Sequence, residues 1–377
     1  MSAHNGCVIE NGLLKMHRNI LVRAGARAAA CAACFATPAF AHHPGGPGNT
    51  GGSGPINTIS ATTLPAGMSG IAIVYDRIGL DALSDATLIG AAETAAAAGE
   101  HAHVHSIKTI ASPSLNYAYG LTNDLTVAVR LPYVIRTDIR AAHFHEDEGE
   151  GEVHAHGDSD GIGDMSALLQ WRLVNSGEFE AALLAGLKAP TGRTHELDRS
   201  GERFDAEFQP GSGSWDGMAG LALTRRFGPL SLDASALYML TGTGAQDTDL
   251  GDRFHYGIAA SYRIRGLGGG DGGPMFHGAR AHAPGDDGHG HVHSEGAPGP
   301  ALDLILELNG EWHGKQETGG EKDPNSGGHV LYVAPGLRLS QDRWSAFASV
   351  GIPIVNDLNG IQAEPDWRLV TGVAFSF

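Results

Sequence analysis

Three tracts of this chain space histidine in a way that suits metal ions. "HAHVH" carries His101, His103 and His105. "HFHEDEGEGEVHAHGDSDG", residues 143–161, carries His143, His145, His154 and His156 among seven carboxylates. "HGHVH" carries His289, His291 and His293. Neutral imidazole is the commonest ligand for borderline divalent metals, and neighbouring carboxylates add charge and hard oxygen donors. In an extended segment, residues two apart point to the same side, so a His-x-His pair can share one ion. The Cys-x-x-Cys at Cys31–Cys34 lies in the first 41 residues, away from these tracts, and there is no His-Glu-x-x-His, so neither motif frames a rigid tetrahedral site here. The chemistry expected is therefore weak, exchangeable binding of zinc, copper, nickel or cobalt, with no cofactor required. The competing reading is a hydrated acidic fringe whose histidines only titrate. "DSDGIGD" (158–164) has the flavour of a calcium loop but lacks the EF-hand spacing and its glutamate. Gly157-Asp158-Ser159-Asp160-Gly161 matches Gly-x-Ser-x-Gly in letters, but it lies in an acidic tract with no apolar strand before it and no helical pattern after it, so no catalytic residue is assigned and the chain reads as a non-enzyme.

Such tracts cannot form a core, so their role depends on what they connect. The chain has 377 residues, with Lys plus Arg at 25 against Asp plus Glu at 42. That balance argues against nucleic acid, whose phosphates need a basic face. Glycine, at 55 residues, suits many tight turns. The three cysteines, Cys7, Cys31 and Cys34, all fall within the first 41 residues. That stretch reads as a secretory signal with a plausible start at Met16. Arg18, Arg23 and Arg27 precede a short apolar run, and Ala39-Phe40-Ala41 is a small-x-small cleavage site. A lipoprotein signal is the alternative, although neither Cys31 nor Cys34 has a Leu three residues before it. Residues 42–66 are rich in Gly and Pro and read as a flexible periplasmic segment.

From residue 67 to the end the apolar pattern has a period of two. In "ALDLILELNGEW", Leu302, Leu304, Leu306, Leu308 and Trp312 face one way and Asp303, Glu307, Asn309 and Glu311 the other. "LTVAVRLPYV", "HYGIAASYRI" and the terminal "DWRLVTGVAFSF" repeat the pattern. About twelve such runs are expected, at 68–78, 107–121, 124–136, 163–174, 178–190, 214–227, 229–241, 252–265, 300–314, 328–341, 343–356 and 365–377. They are longer than typical soluble strands and fit tilted strands crossing a bilayer. Short links (122–124, 175–178, 228–229, 340–342) alternate with long ones (79–106, 137–162, 191–213, 242–251, 315–327, 357–364), the habit of outer-membrane barrels. A soluble β-sandwich would need the apolar faces to meet each other and does not account for the loop alternation. The fold class expected is all-β, a transmembrane antiparallel barrel of the outer-membrane type. Its His-rich insertions would lie at 79–106, 137–162 and 266–299. Counting strands puts 266–299 on the periplasmic side, where turns are usually short. That tract is either a periplasmic metal arm or the sign of a miscounted strand.

Four motifs carry a family resemblance: "YGLTNDLTVAVRLPYV" (119–134), "GIGDMSALLQWRL" (161–173), "GLKAPTG" (186–192) and "FQPGSGSWDGMAGLALTRRFG" (208–228). In this order, ending on an aromatic residue, the chain resembles the MetA-pathway phenol-degradation family of outer-membrane proteins, often labelled simply "transporter". The resemblance runs from about residue 68 to the end. It implies a channel of about a dozen strands for small compounds, aromatic ones among them. It brings no catalytic residues. The terminal Phe377 resembles the last-strand signal read by the barrel assembly machinery. The His-rich insertions are where the sequence departs from the family pattern.

With the apolar faces on lipid, the opposite faces line a lumen. That assigns Asp76, Lys108, Asn116, Arg130, Gln170, Arg172, Lys188, Arg226, Asp233, His255, Arg263, Asp303, Glu307, Glu311, Arg338 and Arg368 inward. Arg172, Arg226, Arg263 and Arg338 each precede the periplasmic end of a descending strand. They are expected to form a basic collar, partly paired with Asp233 and Asp303. The collar would act either as an anion filter or as cross-strand pairs that hold the barrel shut. The function expected is passive passage of small solutes across the outer membrane of a Gram-negative bacterium, with loops that bind divalent metal. The partners expected are outer-membrane lipid, the assembly machinery and a small-molecule or metal-ion cargo, with no nucleic acid. Two alternatives stand beside it: a conduit for small phenol-like compounds, and a plugged barrel that serves as a metal-binding surface or periplasmic protein, with residues 42–66 as the plug.

Overall fold

Period-two strands with one apolar face must bury that face or give it to lipid, and a closed sheet leaves no unpaired edge. The computed structural model, which describes residues 54–98, 104–145, 150–264 and 300–377, shows the closed solution. Twelve antiparallel strands form the wall. They are β1 (Ser69–Asp81), β2 (Ser114–Thr122), β3 (Leu125–His145), β4 (Met165–Asn175), β5 (Phe179–Ala189) and β6 (Asp216–Phe227), followed by β7 (Leu230–Leu240), β8 (Arg253–Ile264), β9 (Ala301–His313), β10 (Gly328–Gln341), β11 (Trp344–Leu358) and β12 (Glu364–Ser376). Each pairs with the next, and β1 closes on β12 with Gly70 opposite Ser376 and Ile78 opposite Arg368. The closing seam also brings Ser69 N and Phe377 O to 2.8 Å, so the last residue is held by the first strand.

The register puts the leucines outward. Leu306 and Ile258 are more than half exposed, while Glu307, between Leu306 and Leu308, is buried. Trp171, Phe227, Tyr262 and Trp344 mark the end with the short turns, and Trp215, Tyr238 and Trp312 mark the other. An apolar band between two aromatic girdles is the surface of a barrel in lipid. The barrel is of the outer-membrane type and lies in the outer membrane. The end with short turns, where β1 begins and β12 ends, is the periplasmic one by the rule for such barrels.

The long links are more structured than their composition suggests. The stretch 137–162 was expected as an insertion, but β3 runs on to His145 and pairs with Glu150–Ile162, so most of the His-rich tract is a tall hairpin continuing the wall. Link 79–106 contains helix α1 (Asp85–Ala98) and the short strand Val104–Ser106, which pairs with β3. Ser84 Oγ accepts from Thr87 N and starts the helix. Leu88, Ala91, Ala92 and Ala95 form its buried face at helical spacing, and the first three pack against Val104 and Ala142. Ile264 and Ala301 both lie at the short-turn end, so the twelve-strand parity stands. Residues 1–41, 42–53 and 266–299, with the signal and metal-arm expectations, lie outside the described residues.

Candidate functional site

The interior is filled from two ends. From the periplasmic end, residues 54–66 enter the lumen as a strap. This corrects the expectation of a flexible periplasmic segment. Extended backbone inside a barrel needs partners for its amides, and inward side chains from six strands supply them. Thr126 Oγ1 accepts from Leu64 N at 2.8 Å and Thr224 Oγ1 from Ala61 N at 2.9 Å. Ser235 Oγ accepts from Ile59 N at 3.1 Å. The Glu307 carboxylate accepts from the amides of Ile56, Asn57 and Thr58. Gln170 donates to Ser60 O and Thr62 O, and Arg338 to Pro55 O at 2.9 Å. Ile56, Ile59 and Ala61 are buried. Two inward glycines make room: a Cβ at Gly120 would strike Pro65 O, and one at Gly336 would press on Ile56 Cδ1.

Around the strap the charges are paired. Arg172 reaches Asp124 and Glu180, at 2.9 and 2.7 Å, and Arg226 shares Glu180 at 3.1 Å. Arg263 grips Asp303 with two bonds, of 2.6 and 2.8 Å. All four collar arginines are thus engaged, although Glu180 was not foreseen. Asp233 does not pair with the collar by hydrogen bond; it accepts instead from Thr224 and Ser231. Higher up, Arg368 holds Asp76 with bonds of 3.0 and 2.7 Å and Glu311 with one of 2.5 Å. Arg130 donates to Ser112, and the His255 and His313 rings meet edge to face at 6.2 Å. Asn116 and Gln170 are buried inside as well. Lys108 is exposed, against its inward assignment, because its run breaks into the short strand Thr109–Ala111 before β2 begins.

From the extracellular end, the loop 190–215 folds into the mouth as a lid. Asp164 ties down both of its ends, accepting from Gly192 N at 2.9 Å and Ser212 N at 2.8 Å. Lys188 bridges Asp164 and Asp216 at 2.9 and 2.8 Å. Ser159 donates to Phe208 O at 2.6 Å and Arg136 to Gln209 O at 3.1 Å. Phe204 and Phe208 then project into an apolar cluster with Ile78, Ile110, Val134, Val330 and Tyr332. These are inner-face residues, where a water-filled pore would be polar. Tyr332 is 1% exposed and Gln170 0%, so this conformation holds no wide aqueous lumen.

Above the lid sits a cavity of about 350 Å³ lined by His105, Asp205, Glu207, Gln316 and Asp323, among others. Burial pushes the Asp323 carboxyl up to about 8, opposed by the Asn325 amide and reinforced by the Glu207 charge. On the lid loop itself, burial raises Asp198, but hydrogen bonds from Ser200, His156 and the Glu202 amide outweigh it and hold the group at about 2.

Of the histidines assigned to metal, His105 is brought to this cavity, and His156 bonds Asp198 at 2.7 Å. His154 stands 3.9 Å from Glu152. His143 and His145 lie on β3. His101, His103, His289, His291 and His293 lie outside the described residues. Asp205, Glu207 and the strap acceptors Thr126, Thr224 and Ser235 went unassigned, because short polar residues on an inner face carry no motif.

Residues 139–303 match the family model described as "Putative MetA-pathway of phenol degradation". The resemblance read from the four motifs is borne out. None of the curated proteins compared matches the chain. Among solved structures, an outer membrane channel from Pseudomonas putida F1 is similar at 14% identity with a TM-score of 0.48, over 84% of this chain and 98% of that one. A FadL homologue from Pseudomonas aeruginosa is similar at 10% identity and TM-score 0.36, over 87% and 96%. A deletion mutant of the TodX monoaromatic hydrocarbon channel is similar at 7% identity and TM-score 0.41, over 83% and 91%.

Proposed function

We propose that this barrel is a gated outer-membrane channel for small, weakly polar molecules, aromatic compounds among them. The observation that carries the reading is the apolar cluster on the inner face of the mouth. Ile78, Ile110, Val134 and Val330 there meet Phe204 and Phe208 of the lid. A channel for polar solutes gains nothing from such a lining, whereas an aromatic solute can replace the two phenyl rings contact for contact. The description of the matching family model, phenol degradation, points to the same cargo class. In this reading the lid and the strap are two gates in series, and the conformation described is closed. The paired collar leaves little free positive charge for an anion filter.

The strap also favours a second reading, a barrel that stays plugged and serves as an anchor. One experiment separates the two. Uptake of a radiolabelled uncharged cresol and of arabinose is measured in intact Gram-negative cells with and without the chain. Lipopolysaccharide makes the outer membrane itself a barrier to the aromatic. The channel reading expects cresol uptake to rise several-fold with little change for the sugar. Equal gains would indicate a general pore, and no gain for either solute would leave the anchor.

A further inference from the structure

The lid is built with alternating chemistry. In Phe204-Asp205-Ala206-Glu207-Phe208, the two phenyl rings and Ala206 are buried, while Asp205 and Glu207 line the cavity above. Across that cavity stands His105, on the short strand Val104–Ser106 that is paired to β3. One ligand atom from each of His105, Asp205 and Glu207 lies within 4.8 Å of the other two. His105 Nε2 is 3.7 Å from Asp205 Oδ2, and its ring packs edge-on against Phe208 at 4.8 Å. Asp323 enters the same cavity from the link between β9 and β10. Gln316 donates to Glu207 Oε2 at 3.1 Å and fixes its carboxylate toward that link.

We propose that His105, Asp205 and Glu207 form a divalent transition-metal site that latches the lid to the barrel wall, with Asp323 or water completing the shell. One imidazole and two or three carboxylate oxygens suit zinc, manganese or cobalt. Ligands of a tetrahedral ion with bonds near 2.1 Å stand about 3.4 Å apart. The present spacing therefore needs an inward rotation of about an ångström by exposed Asp205 and half-buried Glu207. The bond would matter mechanically because its ends belong to different bodies: His105 to the strand-paired wall, the carboxylates to a loop that must lift for the mouth to open. Metal binds the closed lid and not the lifted one, so it multiplies the closed-to-open ratio by 1 + [metal]/Kd, about elevenfold at ten times Kd. His105 comes from the HAHVH tract, but the site differs from a run of local histidines because its ligands come from distant segments held by tertiary structure. The latch itself rests on the cavity; its consequence for passage rests on the function proposed above.

The test reads the lid directly. Arg199 and Arg203 are exposed on the lid loop, and trypsin cuts there only when the loop leaves the mouth. The refolded full chain is digested with and without zinc. Cleavage at Arg343, in the turn between β10 and β11, serves as the control for any effect of zinc on the protease. The expected result is slowing at Arg203 of about tenfold at zinc ten times its Kd, none at Arg343, and loss of the slowing in His105→Ala and in Asp205→Asn. Isothermal titration should show one zinc equivalent disappearing in both variants. No slowing in the parent chain, or equal slowing in both variants, would overturn the latch. Slowed cleavage with unchanged cresol uptake would uphold the latch and count against the lid as a gate for passage.

Discussion

Replacing Glu307 with Gln tests the strap most sharply. The carboxylate is 1% exposed and accepts from three consecutive amides, those of Ile56, Asn57 and Thr58, with bonds of 3.1 and 2.9 Å to Asn57 and 3.2 Å to Thr58. Hydrogen bonds to a charged acceptor contribute about 1.5–3 kcal/mol each, net of water. Glutamine keeps one acceptor oxygen and turns an amide donor toward donors, so at least one or two of these bonds are lost. A loss of about 3 kcal/mol shifts the docking equilibrium of the strap by roughly 150-fold, at 1.4 kcal/mol per factor of ten. The readout is maleimide labelling of Thr58→Cys in a chain whose Cys7, Cys31 and Cys34 are replaced by Ser. Thr58 is 5% exposed and should label slowly while the strap is docked. Glu307→Gln should raise the labelling rate by about two orders of magnitude while the barrel keeps its heat-modifiable mobility on gels. Ser235→Ala, which removes one bond to Ile59 N, is the milder companion, worth about 1 kcal/mol and roughly fivefold. Unchanged labelling in both folded variants would refute the strap as a docked, releasable element.

Three further outcomes follow from the same structure. Lys188→Ala leaves Asp164 and Asp216 buried without their cation, at a cost of about 3–5 kcal/mol; the gel-shift temperature of the folded barrel should fall, and an unchanged temperature would contradict the pairing. Leu306→Arg puts a charge on the lipid face at a position more than half exposed; it should destabilise by about 2–4 kcal/mol in urea titrations in lipid vesicles, whereas a neutral effect would place the membrane belt elsewhere. Asp198 has its folded pKa lowered to about 2, so its contribution is present above the unfolded value of about 3.9 and is lost as pH falls through about 2. Exchange protection of the Ser200 and Glu202 amides, which donate to Asp198 Oδ1, should hold from neutral pH to about 4 and collapse below it, and protection already lost well above pH 4 would contradict the carboxylate as the restraint.

The wall was legible because lipid imposes a strict rule. Leu302, Leu304, Leu306 and Leu308 cannot alternate with Asp303 and Glu307 in any other membrane setting, and the strand limits of β9 fall within a residue of those expected. The lumen-facing charges followed from the same parity. What fills the lumen was much less visible. The strap has no periodicity, since its amides are satisfied by side chains such as Thr126 and Ser235 rather than by a ladder. Helix α1 escaped because alanine surrounds it on every side, so its buried face carries little contrast. The tract 143–161 looked irregular because its alternation is between polar residues, and strand pairing there depends on β3 extending beyond the membrane. The lid escaped for a related reason: Phe204 and Phe208 are isolated apolar residues in a polar loop, and only the fold brings them to Ile78 and Val330.

A solute path through this barrel should open only when the strap leaves it. The most direct measurement fixes the strap in place. Ile59→Cys and Ser235→Cys, on the same background without native cysteines, are bridged by a short, cleavable bis-maleimide, and cresol uptake by intact cells is followed before and after cleavage. Uptake should stay near the level of cells without the chain while the bridge is intact, and recover to the unbridged rate once it is cut. Full uptake through a completely bridged barrel would contradict the need for the strap to leave.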